Sequence, residues 1–392
     1  MHVGVVTTSY PRFAGDSAGS FVHGLNRYLH RCGHEVVVAC AGDGTGRFSE
    51  ELDGVTVHRM PSSLFFHGGA PDALANGLSL TPVPTLWEAG RFSGELLRTV
   101  AKKLSRCDAI VSHWLVPCGI VATLLQGFRP HVAIAHSSDV HLLRRLRAHG
   151  IVRWISRRTR LVYSGEHLQI DDAPGVVVPM GIETAEFVST EFDRREARRQ
   201  LGFSRPTVLF LGRLVPVKGV EVLLSAITQI SVRQPIELIV AGEGPARASL
   251  AAAAAQQGLA CRFIGEVSGL AKRQLLWAAD ALALPSLLLA DGRTEGSPVV
   301  VWEALAAGCP VVASRVGGVP MQLDGAGLLV PAADARALAT ALERVLFDPT
   351  CAAELREKGQ KRAQAADWLH IAPRVLGERF ATITSRRTSL RQ

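Results

Sequence analysis

The sequence lacks the patterns that mark disulfide-rich, metal-dependent and membrane-spanning proteins. Its seven cysteines are dispersed and form no Cys-x-x-Cys pair, which is typical of a reducing cytosol and argues against a disulfide or zinc framework. Uninterrupted apolar runs fall short of the roughly 20 residues that a membrane-spanning helix needs. No Asp-x-Asp sequence occurs, so a metal-bridged diphosphate is disfavoured, and we expect neither a metal nor another cofactor.

A nucleotide-cofactor fingerprint is also missing. The glycine-rich turn at residues 15–20 contains no Gly-x-Gly-x-x-Gly, the pattern by which Rossmann oxidoreductases bind dinucleotides. An oxidoreductase therefore stays a minor alternative, which a titration with NAD(P) would test.

What the chain does have is the composition of a two-domain globular protein. Its 392 residues are 47% apolar and 20% charged, enough to form two separate cores. Alternating strands and helices predict an α/β class with two Rossmann-like β/α/β domains that face a central cleft. We place these domains at residues 1–185 and 186–367, followed by a disordered basic tail at 386–392. The first strand begins at His2 without a basic leader, which indicates a cytoplasmic protein.

Polar residues follow two strand ends in the first domain. Successive predicted strands lead into His113 and His136, and Asp139 comes shortly after. The carboxyl ends of parallel strands are where open α/β sheets bind ligands, so the recurrence favours a functional site. For either histidine alone, a structural role is the alternative. Residues 61–86, rich in Pro, Gly, Ser and Asn, are expected to form a long ordered loop.

The second domain opens with a strand that ends at Gly212, and two cationic residues follow it. These are Arg213 and Lys218. A planar guanidinium and an ammonium at a strand end can clamp a diphosphate. Stabilising the charge on a departing diphosphate oxygen is worth several kcal/mol in catalysis.

Two carboxylates bracket the stretch Glu295–Glu303. We expect Ser297 to cap a helix that begins at Pro298 and ends near Ala307. Helical side chains lean toward the N-terminus, so both carboxylates can face the polarised space above the helix start. Carboxylates accept hydrogen bonds from hydroxyl groups, and the N-terminus of a helix binds phosphates. A phosphorylated sugar has both kinds of group. The alternative is one glutamate in a surface loop and another on a solvated helix face.

The net charge of +8 is unevenly distributed. Residues 142–160 contain seven arginines and no acid, interleaved with Leu, Ile and Trp. This composition is typical of an amphipathic segment on an anionic membrane surface, so we expect peripheral association with the inner face of the cell membrane. The alternative is a pair of ordinary helices whose arginines cover a core edge. No nucleic-acid motif accompanies the segment, and nucleic acid is not an expected partner.

Nine segments, in this order and spacing, resemble the retaining glycosyltransferases of the GT-B fold, in the large family-4 group. The resemblance covers nearly the whole chain, although several of the segments are weak individually. They are YPRFAGDSAGSFV, SHWLVPCGI, HSSDV, VVPMGIETAEF, LFLGRLVPVKGVEVLLSAI, IVAGEGP, EGSPVVVWEALAAGCPVVAS, VGGVP and GAGLLVPAADARALATAL.

The resemblance implies roles for individual residues. The Glu-x7-Glu motif of the family falls on Glu295, expected to hold donor-sugar hydroxyls, and on Glu303, expected to hold the nucleotide ribose. Arg213 and Lys218 would hold the diphosphate, and His136 would lie at the reacting sugar. The further donor-binding residues implied are Gly19, Gly212, Gly242, Glu243, Gly244, Gly296, Ser297, Pro298 and Val299. Those implied on the acceptor side are Gly19, His113, His136 and Asp139.

The same resemblance implies a reaction. A sugar would pass from a nucleotide-sugar to a sugar or lipid-linked glycan acceptor, in polysaccharide or glycoconjugate biosynthesis. Retention in this family is pictured as front-face attack, in which the leaving phosphate takes the acceptor proton and no protein base is needed. A C-terminal helix at about 368–385, with Trp368 near its start, is expected to cross back onto the first domain.

Two positions depart from the family pattern. Ser137 stands where the family commonly has glycine, and Met321 stands where a glutamate usually follows Gly-Gly-Val-Pro. Neither change touches the expected donor contacts, so activity is still expected. An enzyme of this fold that epimerises or hydrolyses its nucleotide-sugar without an acceptor is the main alternative. A non-catalytic binding module is disfavoured, because charged residues are intact in both domains.

Overall fold

A computed structural model describes residues 1–66, 83–378 and 380, without the side chains of residues 83–86. The chain divides into two compact units, Met1–Gly181 with Trp368–Gln392, and Ile182–Asp367. The predicted tail at 386–392, most of the predicted loop at 61–86 and the end of the predicted helix at 368–385 lie outside the described residues.

The first unit is built on an eight-stranded sheet in the order β3-β4-β2-β1-β5-β6-β7-β8. All neighbouring strands are parallel except β3 and β4, an antiparallel pair of which the sequence patterns predicted β4 but not the polar strand β3. The strands are β1 His2–Val6, β2 Glu35–Cys40, β3 Ser49–Leu52, β4 Val55–Arg59, β5 Ala109–His113, β6 His131–Ala135, β7 Arg160–Tyr163 and β8 Val176–Val177.

Helices follow most of these strands, as parallel connections require. In the first unit they are α1 Ser20–Arg31, α2 Val83–Lys103, α3 Ile120–Leu125, α4 Ser137–Arg145, α5 His149–Ser156 and, from the end of the chain, Trp368–Leu376. Trp368 is buried and lies against Gly24 of α1, where a Cβ would collide with the indole ring. The small residue therefore lets this last helix pack closely on α1.

The second unit has a six-stranded parallel sheet in the order β11-β10-β9-β12-β13-β14. Its strands are β9 Thr207–Leu211, β10 Glu237–Ala241, β11 Cys261–Gly265, β12 Ala281–Leu284, β13 Val311–Ser314 and β14 Leu328–Val330. Its helices are α6 Glu191–Leu201, α7 Val220–Ser231, α8 Arg247–Gln256, α9 Gly269–Ala278, α10 Val299–Ala306, α11 Val319–Leu323, α12 Ala335–Phe347 and α13 Pro349–Gln364. The last helix of the chain, Trp368–Leu376, is α14.

Both sheets have the apolar central strands of a doubly covered parallel sheet. In β1 the side chains of Val3, Val5 and Val6 are fully buried, and in β12 every residue is buried. Helices on both faces explain such continuous apolar runs, because neither face of the strand meets water. The predicted class, two parallel-sheet α/β domains, is confirmed.

Candidate functional site

The first unit brings His113 and His136 together. Strands β5 and β6 are parallel neighbours, with His113 paired in register to Ile134, so the two histidines emerge at the same edge of the sheet. Nδ1 of His113 lies 3.2 Å from Nε2 of His136, and the ring planes differ by 13°. One imidazole therefore donates a hydrogen bond to the other.

This histidine pair is enclosed by aromatic rings. Phe21, in the first turn of α1, lies 5.1 Å from the His136 ring, and Trp114 lies 4.7 Å from it, both measured between centroids. Burial lowers the pKa of His136 to about 3. Burial, and then the His136 charge, holds the pKa of His113 well below its usual value. Both imidazoles are therefore neutral at physiological pH and act as hydrogen-bonding groups rather than as charges.

Asp139 fixes the backbone beside this pair, and Gly19 allows the helix that carries Phe21 to begin close to β1. Asp139 is fully buried, and its carboxylate accepts hydrogen bonds from the backbone N–H of Leu115 at 2.5 Å and of His136 at 3.0 Å. Burial raises the pKa of Asp139 to about 7, although four backbone hydrogen bonds oppose the rise. Gly19 has φ 61°, and a Cβ there would lie 2.5 Å from the carbonyl oxygen of Ser9. Only glycine lets α1 begin so close to the turn after β1.

The second unit pairs two of the predicted donor residues directly. Nζ of Lys218 lies 2.5 Å from Oε1 of Glu295, and the hydroxyl of Ser286 donates to the same oxygen at 2.8 Å. Lys218 ends a 3₁₀ turn, and Gly219 follows at φ 62°, where a Cβ would collide with the backbone of Pro285. The predicted diphosphate cation and the predicted sugar carboxylate thus form one partly buried ion pair.

Glu303 has a partner that the sequence patterns missed. Nζ of Lys272, on α9, lies 2.6 Å from Oε1 of Glu303 on α10, and both residues are buried. The apolar periodicity of α9 indicates that Lys272 lies on the buried face of the helix. Leu275 and Leu276 lie three and four positions after Lys272, on the same helix face, and both are core residues.

The start of α10 differs from the prediction. Pro298 occupies the capping position and the helix begins at Val299, so Ser297 is not the N-cap. The reason lies in the backbone: Gly296 is tied by its carbonyl to the N–H of Gly318 at 2.9 Å, which places Ser297 one residue before the cap. Its hydroxyl oxygen is buried, and no described group bonds to it.

The remaining predicted donor residues lie in loops after β9 and β10. Gly242 and Gly244 adopt φ 148° and 158°, and a Cβ on either would collide with the backbone at Gly212 or Leu214. The N–H of Leu214 donates to the carbonyl of Glu243 at 2.8 Å, so the two loops run side by side. Arg213 and Glu243 are exposed beside them.

The arginine-rich segment 142–160 is formed by α4, α5 and the residues after each. Its seven arginines are exposed, whereas Leu142, Leu143 and Ile155 are buried in the core of the first unit. Leu146, half exposed, is the exception. Most of the apolar side chains therefore face inward, and arginine side chains form most of the outer surface.

The described residues contain neither a membrane-spanning helix nor a cluster of metal-binding side chains. No helix among them has the length and apolar composition needed to cross a bilayer. Within the same part of the chain, no group of three or more His, Cys, Asp or Glu side chains is arranged to hold a metal ion.

Two family models match the sequence. Residues 18–213 match the model described as glycosyl transferase 4-like domain, and residues 193–364 match the model described as glycosyl transferases group 1. The first covers half of the chain, and together the two models span both units.

Curated relatives and solved structures agree with these models. The chain is 30% identical over 327 residues to the phosphatidyl-myo-inositol mannosyltransferase of Mycolicibacterium smegmatis, with 79% of this chain and 81% of the relative covered. It is 33% identical over 258 residues to the GDP-mannose-dependent alpha-(1-6)-phosphatidylinositol monomannoside mannosyltransferase of the same organism, covering 62% of this chain and 64% of that one. The sucrose-phosphate synthase of Thermosynechococcus elongatus has the same fold, with a TM-score of 0.76, 23% identity, and 98% and 100% of the two chains covered. The predicted family is confirmed: the chain belongs to the family-4-like glycosyltransferases of the GT-B fold.

Proposed function

We propose that this glycosyltransferase moves a sugar from a nucleotide-sugar to an acceptor hydroxyl and keeps the anomeric configuration. The observation that carries the proposal is the Lys218–Glu295 pair, which lies just before the N-terminus of α10. A cation there can meet a diphosphate, and a carboxylate can accept from sugar hydroxyls. The unsatisfied hydroxyl of Ser297 and the N–H groups of the helix start add donors for an anionic ligand.

The residues suggest how the leaving group is stabilised. When the bond to the diphosphate breaks, negative charge grows on the departing oxygen, and Lys218 and Arg213 would neutralise it in place of a metal ion. The departing phosphate would take the acceptor proton. A neutral histidine pair fits this scheme, because imidazoles whose pKa values lie far below the usual value do not compete for the proton.

The names of the relatives favour a donor and an acceptor class. One relative is named as GDP-mannose-dependent, and both are named for transfer to phosphatidylinositol or its mannosides. We propose a nucleotide-sugar donor and a lipid-linked or polysaccharide acceptor, used by a cytoplasmic enzyme that associates with the inner membrane face. The exposed arginines of 142–160 support that association through charge alone, so binding to anionic vesicles should be lost at high salt.

A thermal-shift panel of UDP-, GDP-, ADP- and TDP-sugars tests the donor site. A donor present at 100 times its dissociation constant stabilises the protein by about 2.7 kcal/mol. Lys218→Ala and Glu295→Ala should each abolish the shift. Lys358→Ala is the matched control, because Lys358 also pairs with a glutamate, at 3.5 Å, but on an exposed face of α13. Shifts that persist in both site variants would refute the assignment.

Product analysis tests the reaction itself. We expect nucleotide to be released only when an acceptor is added. The product should keep the donor's anomeric configuration, which proton NMR coupling constants report. Activity should be unchanged in EDTA. Nucleotide release without an acceptor would favour an epimerase or hydrolase instead.

A further inference from the structure

The first unit contains a recess at the opposite end of strand β6 from the histidine pair. It has a volume of about 1120 Å³ and is lined by residues 126–132 and 157–160 and, from the end of the chain, by Pro373, Leu376, Gly377, Glu378 and Phe380. Its walls include His131 and Arg160, the first residues of β6 and β7. His136 follows the other end of β6, and five residues at about 3.3 Å each place it about 16 Å away.

The residues that line this recess carry mostly positive charge, and we call it the basic recess. A single acid, Glu378, is among its lining residues. His131 adds no charge at neutral pH, since burial lowers its pKa to about 3. The cationic side chains on the wall are Arg129, Arg157, Arg158 and Arg160. None of these four forms an ion pair with an acid in the part of the chain that the structure describes.

Two of the guanidinium groups are held rigidly by backbone carbonyls. Arg129 donates to the carbonyls of Leu104, at 2.7 Å, and Gln126, at 2.9 Å, and also to Leu125. Arg160 donates to two carbonyls at the end of α14, at 2.9 and 3.1 Å. A guanidinium has five N–H groups, so each of these arginines keeps N–H groups for a ligand.

Capping of helix ends does not account for all of this charge. The C-termini of α3, α5 and α14 lie at the recess, and a helix end carries about half a negative charge. Three ends offset about 1.5 charges, whereas four arginines against one glutamate leave an excess of three. The guanidinium of Arg157 makes no hydrogen bond to any described group, and that of Arg158 donates one hydrogen bond to the carbonyl of Trp154.

We propose that the basic recess binds a phosphate-bearing ligand at a site separate from the donor site. A surplus of fixed positive charge with spare N–H donors is the chemistry that recognises phosphate oxygens. Phe128 on the rim is fully exposed, which adds an apolar contact for the acyl part of a ligand. The phosphate belongs either to a soluble organic phosphate or to a lipid headgroup.

Calorimetric titration with two probes tests the site and separates these sources. The probes are inorganic pyrophosphate and monomeric dihexanoyl-phosphatidylglycerol, both titrated into a Lys218→Ala background so that the proposed donor site does not contribute. We expect the double variant Arg157→Glu/Arg158→Glu to weaken binding at least about tenfold, since each lost charge-assisted hydrogen bond costs about 1.5–3 kcal/mol. The control is Arg153→Glu, because Arg153 is an exposed arginine of α5, the helix that ends just before Arg157, and does not line the recess.

A variant of Phe128 distinguishes a lipid ligand from a soluble phosphate. Phe128→Ala should weaken the lipid probe alone if the natural ligand is a lipid, and neither probe if it is a soluble phosphate; both results support the site. Absence of binding by both probes, or equal weakening by Arg153→Glu, would overturn the proposal. Binding that appears only when Lys218 is present would assign the phosphate to the donor site and leave the proposed function standing.

Discussion

Replacing Lys272 by Met is expected to destabilise the second unit strongly. Lys272 and Glu303 form an ion pair of 2.6 Å in which the side chains are 11% and 6% exposed. Methionine has a similar length and can still pack near Phe187, although it loses the cation–π contact in which the Lys272 ammonium lies 5.5 Å from the ring centroid. The main loss is the charge, which leaves a carboxylate buried without its counter-ion.

The size of the effect follows from burial. Breaking a buried pair by removing one partner costs about 3–5 kcal/mol, because the remaining charge is then uncompensated in a medium of low polarity. We expect Lys272→Met to lower the free energy of unfolding of the second unit by about 3 kcal/mol. The double variant Lys272→Met/Glu303→Leu should recover part of this loss, because replacing both members of a buried pair by apolar groups is often neutral.

The assay must report on one unit, because a chain of two units need not unfold in a single step. Urea titration with hydrogen exchange of peptides from α9 and α10 provides that resolution. Lys358→Met is the control: its pair with Glu354 is 3.5 Å long and 58% and 62% exposed, so it should cost less than about 0.5 kcal/mol. Equal losses in the two lysine variants, or a double variant as unstable as Lys272→Met, would refute the reasoning.

Three further predictions concern the pH dependence of stability, the backbone conformation of a glycine and the tautomer of a histidine. Stability should fall as the pH is lowered from about 8 to about 5.5, because three buried histidines have pKa values below the unfolded value and the folded state resists their protonation. The two with a pKa near 3 each cost about 1.4 kcal/mol at about pH 5.5, and Asp139, whose pKa is raised to about 7, returns about 2 kcal/mol. The third adds to the loss, and unchanged or rising stability in urea titrations would contradict this prediction. Those histidines are His113, His131 and His136. Gly317→Ala should cost more than about 1 kcal/mol and weaken donor binding in titrations, since φ is 56° and a Cβ would collide with the Glu295 carbonyl. His113→Phe should leave His136 in a single tautomer in ¹⁵N spectra, because the backbone N–H of Asp139 still donates to the His136 ring; a mixture of tautomers would show that His113 sets the tautomer instead.

Much of the first unit's site could be predicted from local patterns. A strand that ends at His113 and another that leads into His136 are visible in the sequence, and parallel sheets place successive strand ends at one edge. Their 3.2 Å contact depends on β5 and β6 being neighbours, which the rule of short parallel connections favours. Asp139 was predicted because it follows the same strand end. The sequence did not indicate that its carboxylate accepts hydrogen bonds from backbone N–H groups.

Other features depend on contacts between residues far apart in the chain. Lys272 and Glu303 are separated by 31 positions, and Lys218 and Glu295 by 77, so no local pattern pairs them. The hairpin strand β3 is polar and was missed, because the hydrophobic periodicity on which strand prediction rests is absent from it.

The arginine-rich segment 142–160 shows the limit of composition. Its leucines and arginines fit both a membrane-facing helix and a helix that covers a core. Only packing shows that Leu142, Leu143 and Ile155 point inward.

The amino-acid sequence by itself determined the α/β class, the two-domain organisation, the family and the residue types that can meet a sugar and a diphosphate. These follow from periodicity, composition and ordered motifs, all of which are local in the chain. The tertiary structure alone decided that Lys218 neutralises Glu295, that Lys272 neutralises Glu303, that Pro298 rather than Ser297 precedes the helix, and that arginines converge on a recess. The physical reason is that charge pairing and burial depend on which distant segments are packed together, and that information is absent from any single stretch of sequence.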